Sequence, residues 1–156
     1  MARYRVNGKT VATAATIDHA IAEVWNPSTT KRIKLLQLWC FKQAAGAADE
    51  PVLRRTTAKG TPGSTVTPTS VNEVEQIAAP PSSFTLELSA FTVQPTLAAS
   101  PLDGSVIPAA IGSGFIWLFD EHGGDGLEIP AGAGIALTVG IALAFPVARV
   151  TAIVED

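Results

Sequence analysis

Side chains able to do chemistry are scarce: His19, His122 and Cys40 are the whole supply of imidazole and thiol. Zinc sites draw on His and Cys, and a nucleophilic triad needs a His between its nucleophile and its acid, so either would be built here from very little. Asp18-His19 has no nucleophile beside it in sequence and reads as a surface histidine. Cys40, between Trp39 and Phe41, reads as a core thiol rather than a nucleophile. The run Asp120-Glu121-His122-Gly123-Gly124-Asp125 gathers hard oxygen ligands and an imidazole that could hold a divalent cation. It lacks the distal glutamate of a calcium loop, and acidic glycine-rich segments between strands are commonly solvated turns.

Two glycine motifs fail on spacing. Gly8-Lys9-Thr10 resembles the end of a phosphate-binding loop, but the glycine required five residues upstream is replaced by Arg3. Gly112-Ser113-Gly114 lacks the residue that a nucleophile elbow places on each side of its serine, so it reads as a turn leading into Phe115. No catalytic group, metal or cofactor is expected from these residues. Trp25, Trp39 and Trp117 could together stack a sugar or a base. Trp39 and Trp117 lie in apolar runs and are expected in the core, whereas Trp25, beside Asn26-Pro27, is the candidate surface anchor of a carbohydrate-binding module. Basic residues do not interleave with aromatics as a single-strand nucleic-acid groove requires.

The elements that must position these groups follow from composition and patterning. A chain of 156 residues is one domain of ordinary size, and with 47% hydrophobic and 16% charged residues it has ample material for a core. The 13 Gly and 11 Pro are spread along the whole length, which favours short strands joined by turns over long helices. Net charge is −3, giving no electrostatic reason to bind nucleic acid. The distribution is uneven: residues 1–59 carry ten Lys and Arg against four Asp and Glu, while residues 60–156 carry Arg149 alone against ten. Such asymmetry suits a subunit that meets copies of itself or another protein through complementary patches. A single cysteine rules out an intrachain disulfide, which fits synthesis in the cytoplasm. The basic N-terminus runs into Asn7-Gly8-Lys9 rather than an apolar stretch, so no secretory signal is expected. Residues 129–148 lack charge, but their glycines, flanking prolines and alternating aliphatics indicate a buried strand and no membrane span.

Asn7-Gly8 between β-prone runs predicts a tight hairpin, making residues 1–25 an N-terminal arm or hairpin and residues 26–156 the single sandwich domain. Ile17, Ile21, Val24 and Trp25 fall at helical spacing after a possible Thr16 cap, so 16–25 can be read as a helix. Between Lys31 and Phe41 the apolar positions change phase from Ile33 and Leu35 to Leu36, Leu38 and Cys40, the mark of a bulge in a central strand. Val52 to Thr57 reads as another strand. Residues 60–81 then make a 22-residue Pro- and Thr-rich connection with no lysine or arginine, including Thr65 and Val66, long enough to reach over a neighbour or cap the sandwich. Phe84, Leu86 and Leu88 alternate with Thr85, Glu87 and Ser89, the latter face meeting solvent or a subunit. Further strands are expected at 105–110, 114–119, 135–145 and 148–154. In all, about eight strands without strand–helix alternation predict an all-β, antiparallel β-sandwich of jelly-roll type.

Three segments carry a family resemblance: Trp25-Asn-Pro-Ser-Thr-Thr-Lys-Arg-Ile-Lys-Leu35, Leu53-Arg-Arg-Thr-Thr-Ala-Lys-Gly-Thr-Pro-Gly-Ser-Thr-Val-Thr-Pro68 and Leu127-Glu-Ile-Pro-Ala-Gly-Ala-Gly-Ile-Ala-Leu137. They resemble small virion proteins of tailed bacteriophages, the nearest type being the capsid decoration, or cement, protein. That resemblance implies a β-sandwich that oligomerises, commonly as a trimer, on the outer surface of the virion head, clamping neighbouring major capsid proteins. A clamp needs strand edges, arms and seam-spanning loops rather than catalytic groups. Its candidate partner contacts are Arg3, Arg5 and Trp25 in the arm, Arg54, Arg55 and Lys59, and Thr65 and Val66 in the long loop. Other virion parts, such as a head-fibre base or a tail-associated subunit, would share this chemistry, and an enzyme is the weakest alternative.

Overall fold

Alternating apolar residues leave each strand with one face to be covered, and here two antiparallel sheets cover each other. The computed structural model of the chain describes residues 2–69, 83–120 and 125–156. Within them lie eleven strands: β1 (Arg3–Lys9), β2 (Ala20–Asn26), β3 (Ile33–Lys42), β4 (Pro51–Ala58), β5 (Ser64–Val66), β6 (Thr85–Leu88), β7 (Thr96–Gly104), β8 (Gly114–Leu118), β9 (Leu127–Ile129), β10 (Ala133–Val139) and β11 (Ala148–Glu155). The first sheet runs β1-β11-β3-β8, with β9 also on β3, and the second runs β5-β6-β2-β10-β4-β7. The all-β expectation holds, with more strands than the roughly eight that the turn spacing suggested.

The core lies between the sheets. Tyr4 and Val6 of β1, Leu35, Leu38 and Cys40 of β3, Trp117 of β8 and Val150, Ala152 and Val154 of β11 are buried in one cluster with Val24, Leu53, Leu86, Leu88, Ile135 and Leu137 of the second sheet. The bulge in β3 falls where the phase change placed it. Val154 pairs with Leu35 but Ile153 with Gln37, leaving Leu36 as the extra residue, and β9 gives way to β8 along the other side of β3 at the same point.

Several local expectations are overturned by tertiary context. The chain does not turn at Asn7-Gly8: β1 runs straight through, pairing Asn7 with Thr151 and Gly8 with Val150. Gly8 is needed for closeness instead, because a Cβ there would collide with the Leu88 side chain of the opposite sheet. Residues 20–26 are not helical. They form β2, between β6 and β10, and every residue of the strand is buried, so no polar helix face could exist. The expected arm thus supplies one strand to each sheet. At the other end, Ala2 and Asp156 exchange two backbone hydrogen bonds of 3.1 and 3.0 Å.

The long connection contains β5, and Thr61 bridges Val93; its residues 70–81 lie outside the described residues. Of the strand expected at 105–110 only Ile107 pairs, with Asp49. The pairing stretch is β7, whose Pro101 sits in an edge ladder to β4 broken by three register shifts. β10 ends at Val139 rather than continuing to Phe145, since Gly140 passes against the backbone of Glu50. Among the described residues no helix is long and apolar enough to cross a membrane.

Candidate functional site

Strand register fixes what the outer face of the first sheet displays. Inward Tyr4 and Val6 leave Arg3, Arg5, Asn7 and Lys9 of β1 outward. Across β11 their partners are Glu155, Ile153, Thr151 and Arg149. Further across stand Gln37, Trp39 and Phe41 of β3, and then Leu118, Ile116 and Gly114 of β8. The face therefore grades from cationic at β1 to aromatic at β3 and aliphatic at β8.

Its centre is built. The Arg5 guanidinium lies 5.4 Å from the centroid of the Trp39 ring, and the indole Nε1 donates to Gln37 Oε1 at 3.0 Å. Arg149 donates to Asn7 Oδ1 at 2.7 Å, and Arg3 pairs with Glu155 at 3.0 Å. Trp39 and Phe41 are half-buried, while Ile116 and Leu118 remain 37% and 41% exposed. A positioned arginine and tryptophan beside exposed aliphatics is the composition of a protein-binding hot spot.

The sequence-derived contact residues divide. Arg3 and Arg5 belong to this face. Trp25, the expected surface anchor, is only 9% exposed, because its ring lies across Gly134 of β10, where a Cβ would stand 2.9 Å from Cε3. Trp39, expected in the core, is the tryptophan that reaches the surface; Trp117 is buried as expected. Arg54 stands 3.1 Å from Asp18 and donates to the carbonyls of Ala98 and Ala99. Arg55 donates to the carbonyl of Glu128 at 2.8 Å. Val66 packs against the core. These groups bind the chain to itself.

Lys59 and Thr65 serve a cluster that the sequence did not reveal. Lys59 Nζ lies 2.6 Å from Glu87 Oε1, the Thr65 hydroxyl donates to Glu87 Oε2, and Thr85 donates to Oε1 at 2.6 Å. Glu87, expected on a face meeting solvent or a subunit, is fully buried within the chain beside Glu23, its cross-strand partner. Glu23 accepts from the Thr56 hydroxyl at 2.6 Å and from the Gly60 amide at 3.3 Å. Burial pushes the Glu23 carboxyl above the ordinary carboxylate range, further raised by Glu87 and opposed by the two donors and Lys59. Alternation on β6 hid this, because it says nothing about whether a neighbouring segment covers the polar face.

A second buried charge closes the loops beside β3. Lys42 Nζ donates to the carbonyls of Ala47, Ile107 and Pro108 at 2.7, 3.4 and 3.0 Å and lies 5.4 Å from the Phe145 ring centroid. Desolvation lowers its pKa, partly offset by Asp49, whose own carboxyl is raised by burial. The Cys40 thiol is pushed up to about 12 by burial, which keeps it protonated and inert.

Two hollows are lined by described residues. One is lined by Thr13, His19, Ser89, Phe91 and Gln94, and the Ser89 hydroxyl donates to the carbonyl of Val11. The other is an open groove along Pro27 to Lys31 and Ser83. Of the acidic run after Phe119, Glu121 and His122 lie outside the described residues; among those described, no three His, Cys, Asp or Glu are grouped to hold a metal. Comparison with models of known families, with curated proteins and with solved structures finds no match for the chain.

Proposed function

We propose that the protein is a non-enzymatic structural subunit of a bacteriophage virion, a capsid decoration or cement protein that docks onto neighbouring major capsid proteins and stabilises the head. The observation that carries this reading is the outer face of the first sheet, where Arg5 covers Trp39 beside Phe41, Ile116 and Leu118. Such a face has the aromatic anchor and arginine that give binding energy at protein interfaces, and a capsid surface of acidic character would complement Arg5, Lys9 and Arg149. The three segments resembling phage virion proteins supply the kind of partner. A carbohydrate-binding role is less favoured, since Trp25, its proposed anchor, is buried.

Quantitative mass spectrometry on gradient-purified phage particles tests the proposal by counting copies of this chain against the major capsid protein. A ratio on the order of the capsid subunits themselves supports cement. A handful per particle moves the chain to the neck, tail or fibres, and absence overturns the virion role.

A further inference from the structure

A sheet edge is a row of unpaired donors and acceptors, and soluble proteins blunt such rows with charge, proline, bulges or shortness. Four of the five edge strands described here are blunted, β9 by being three residues long with Glu128 at its middle. β1 carries Arg3, Arg5 and Lys9; β7 carries Pro101 and three register shifts; β5 is three residues long. β8 has none of these devices. Its pairing with β3 runs without a shift from Gly114 to Leu118, and among the described residues no strand pairs with its other side. Nor does any charged residue occur between Asp103 and Asp120.

Register tells which groups are open. Phe119 N–H donates to Leu36 and Lys42 N–H to the Ser113 carbonyl, so the backbone groups of 113, 115, 117 and 119 face β3. Those of Gly114, Ile116 and Leu118 face outward. This set is symmetric about Ile116.

We infer that two copies of the chain join through β8, antiparallel, about a two-fold axis at Ile116. In that register Ile116 exchanges both backbone hydrogen bonds with Ile116 of the second copy, and Gly114 lies opposite Leu118, small against large. The strand from Gly114 to Leu118 carries no charged residue, so no like charges meet along it. A second copy is the occupant that fits, because the edge is its own complement in charge, length and hydrogen-bonding pattern, and the same chain's other edges are blunted against it. Pairing makes one sheet in the order β1-β11-β3-β8-β8-β3-β11-β1. Both Trp39 faces then lie on one side, with cationic strands at its two ends. The arrangement is two-fold, unlike the trimer implied by the family resemblance, and it stands whether or not the virion role does.

Sedimentation and native mass spectrometry of the full chain, with Ile116→Lys and Ile116→Cys variants, test this. The wild type is expected to be dimeric at micromolar concentration. Ile116→Lys, which sets two ammonium groups at the axis, should raise the dissociation constant by roughly 100-fold or more while near-ultraviolet dichroism remains native. The facing Cα atoms of a hydrogen-bonded pair lie about 5.5 Å apart, within disulfide range, so Ile116→Cys should cross-link under mild oxidation. Val93→Cys, also exposed but distant in the fold, should not. A wild type that stays monomeric, or equal cross-linking at 116 and 93, overturns the inference. Either outcome leaves the particle copy number, and hence the virion reading, to be decided separately.

Discussion

Glu23 and Glu87 stand directly opposite each other on β2 and β6, both fully buried, with Lys59 as the cation beside them. Like charges at such a pair repel, and the protein lessens the repulsion by holding a proton on Glu23 more tightly than water would. A carboxyl whose folded pKa exceeds its unfolded value binds more protons when folded, so its contribution to stability is complete below the unfolded pKa and is lost as pH rises through the folded one. Stability should therefore fall as pH rises above the ordinary carboxylate range near 4.5. Glu23→Gln keeps an acceptor for Thr56 and removes the titration. Its melting temperature should vary less with pH from that range upward and exceed the wild type's on the alkaline side. An unaltered pH profile would contradict this account.

Lys59→Met leaves the two carboxylates without their cation. Because the lysine is partly exposed, the loss is discounted to roughly 1–2 kcal/mol, larger at alkaline than at acid pH. Urea unfolding of the variant and the wild type at both ends of that range measures it.

Lys42→Met removes the ammonium that joins three loop carbonyls. Three acceptors lose a buried charged donor at once, and the expected destabilisation is about 3–5 kcal/mol. Hydrogen exchange should accelerate first at Asp49 and Ile107, whose amides bond across the two loops that Lys42 holds together. Uniform acceleration over the whole fold would point instead to global loss of stability.

Gly134→Ala should cost roughly 1–3 kcal/mol, read as a lowered melting temperature. The added methyl would stand 2.6 Å from Thr56 Oγ1 and 2.8 Å from the Val24 carbonyl, as well as against the Trp25 ring. Gly134 does not have the positive φ that a turn would demand; Gly112, Gly126 and Gly132 do. Its glycine serves the packing of Trp25, and a neutral alanine would contradict that.

Trp39→Ser separates docking from folding. The ring lies on the outer face under Arg5, so stability should change by no more than about 1 kcal/mol. Incorporation into particles should fall at least tenfold if this face binds the capsid.

Periodicity read well wherever a strand answers mainly to its own two faces. The phase change at Leu36 gave the bulge, and the spacing of Phe84, Leu86 and Leu88 gave the inward face of β6. It failed where a distant segment decides. Asn7-Gly8 would turn in isolation, but β11 offers a full ladder to an uninterrupted β1, and Leu88 accounts for the glycine. Trp25 and Trp39 exchanged their expected places because a glycine more than a hundred residues away makes room for one ring, while among the described residues no strand covers the outer face of β3. The buried carboxylates were illegible for the same reason: Glu23 and Glu87 are cross-strand neighbours separated by most of a sheet's worth of sequence.

The backbone bonds between Ala2 and Asp156 bring both ends of the described chain to one corner, on the β1 side of the first sheet. Polypeptide joined before the first strand or after the last would leave from that same corner, three and two strands away from β8 respectively. Ala2 and Asp156 could be bridged by a short linker and a surface loop opened instead, giving a circular permutant with the same ladder order. A displayed peptide could likewise be attached at either end and emerge at a single address, clear of the aliphatic margin.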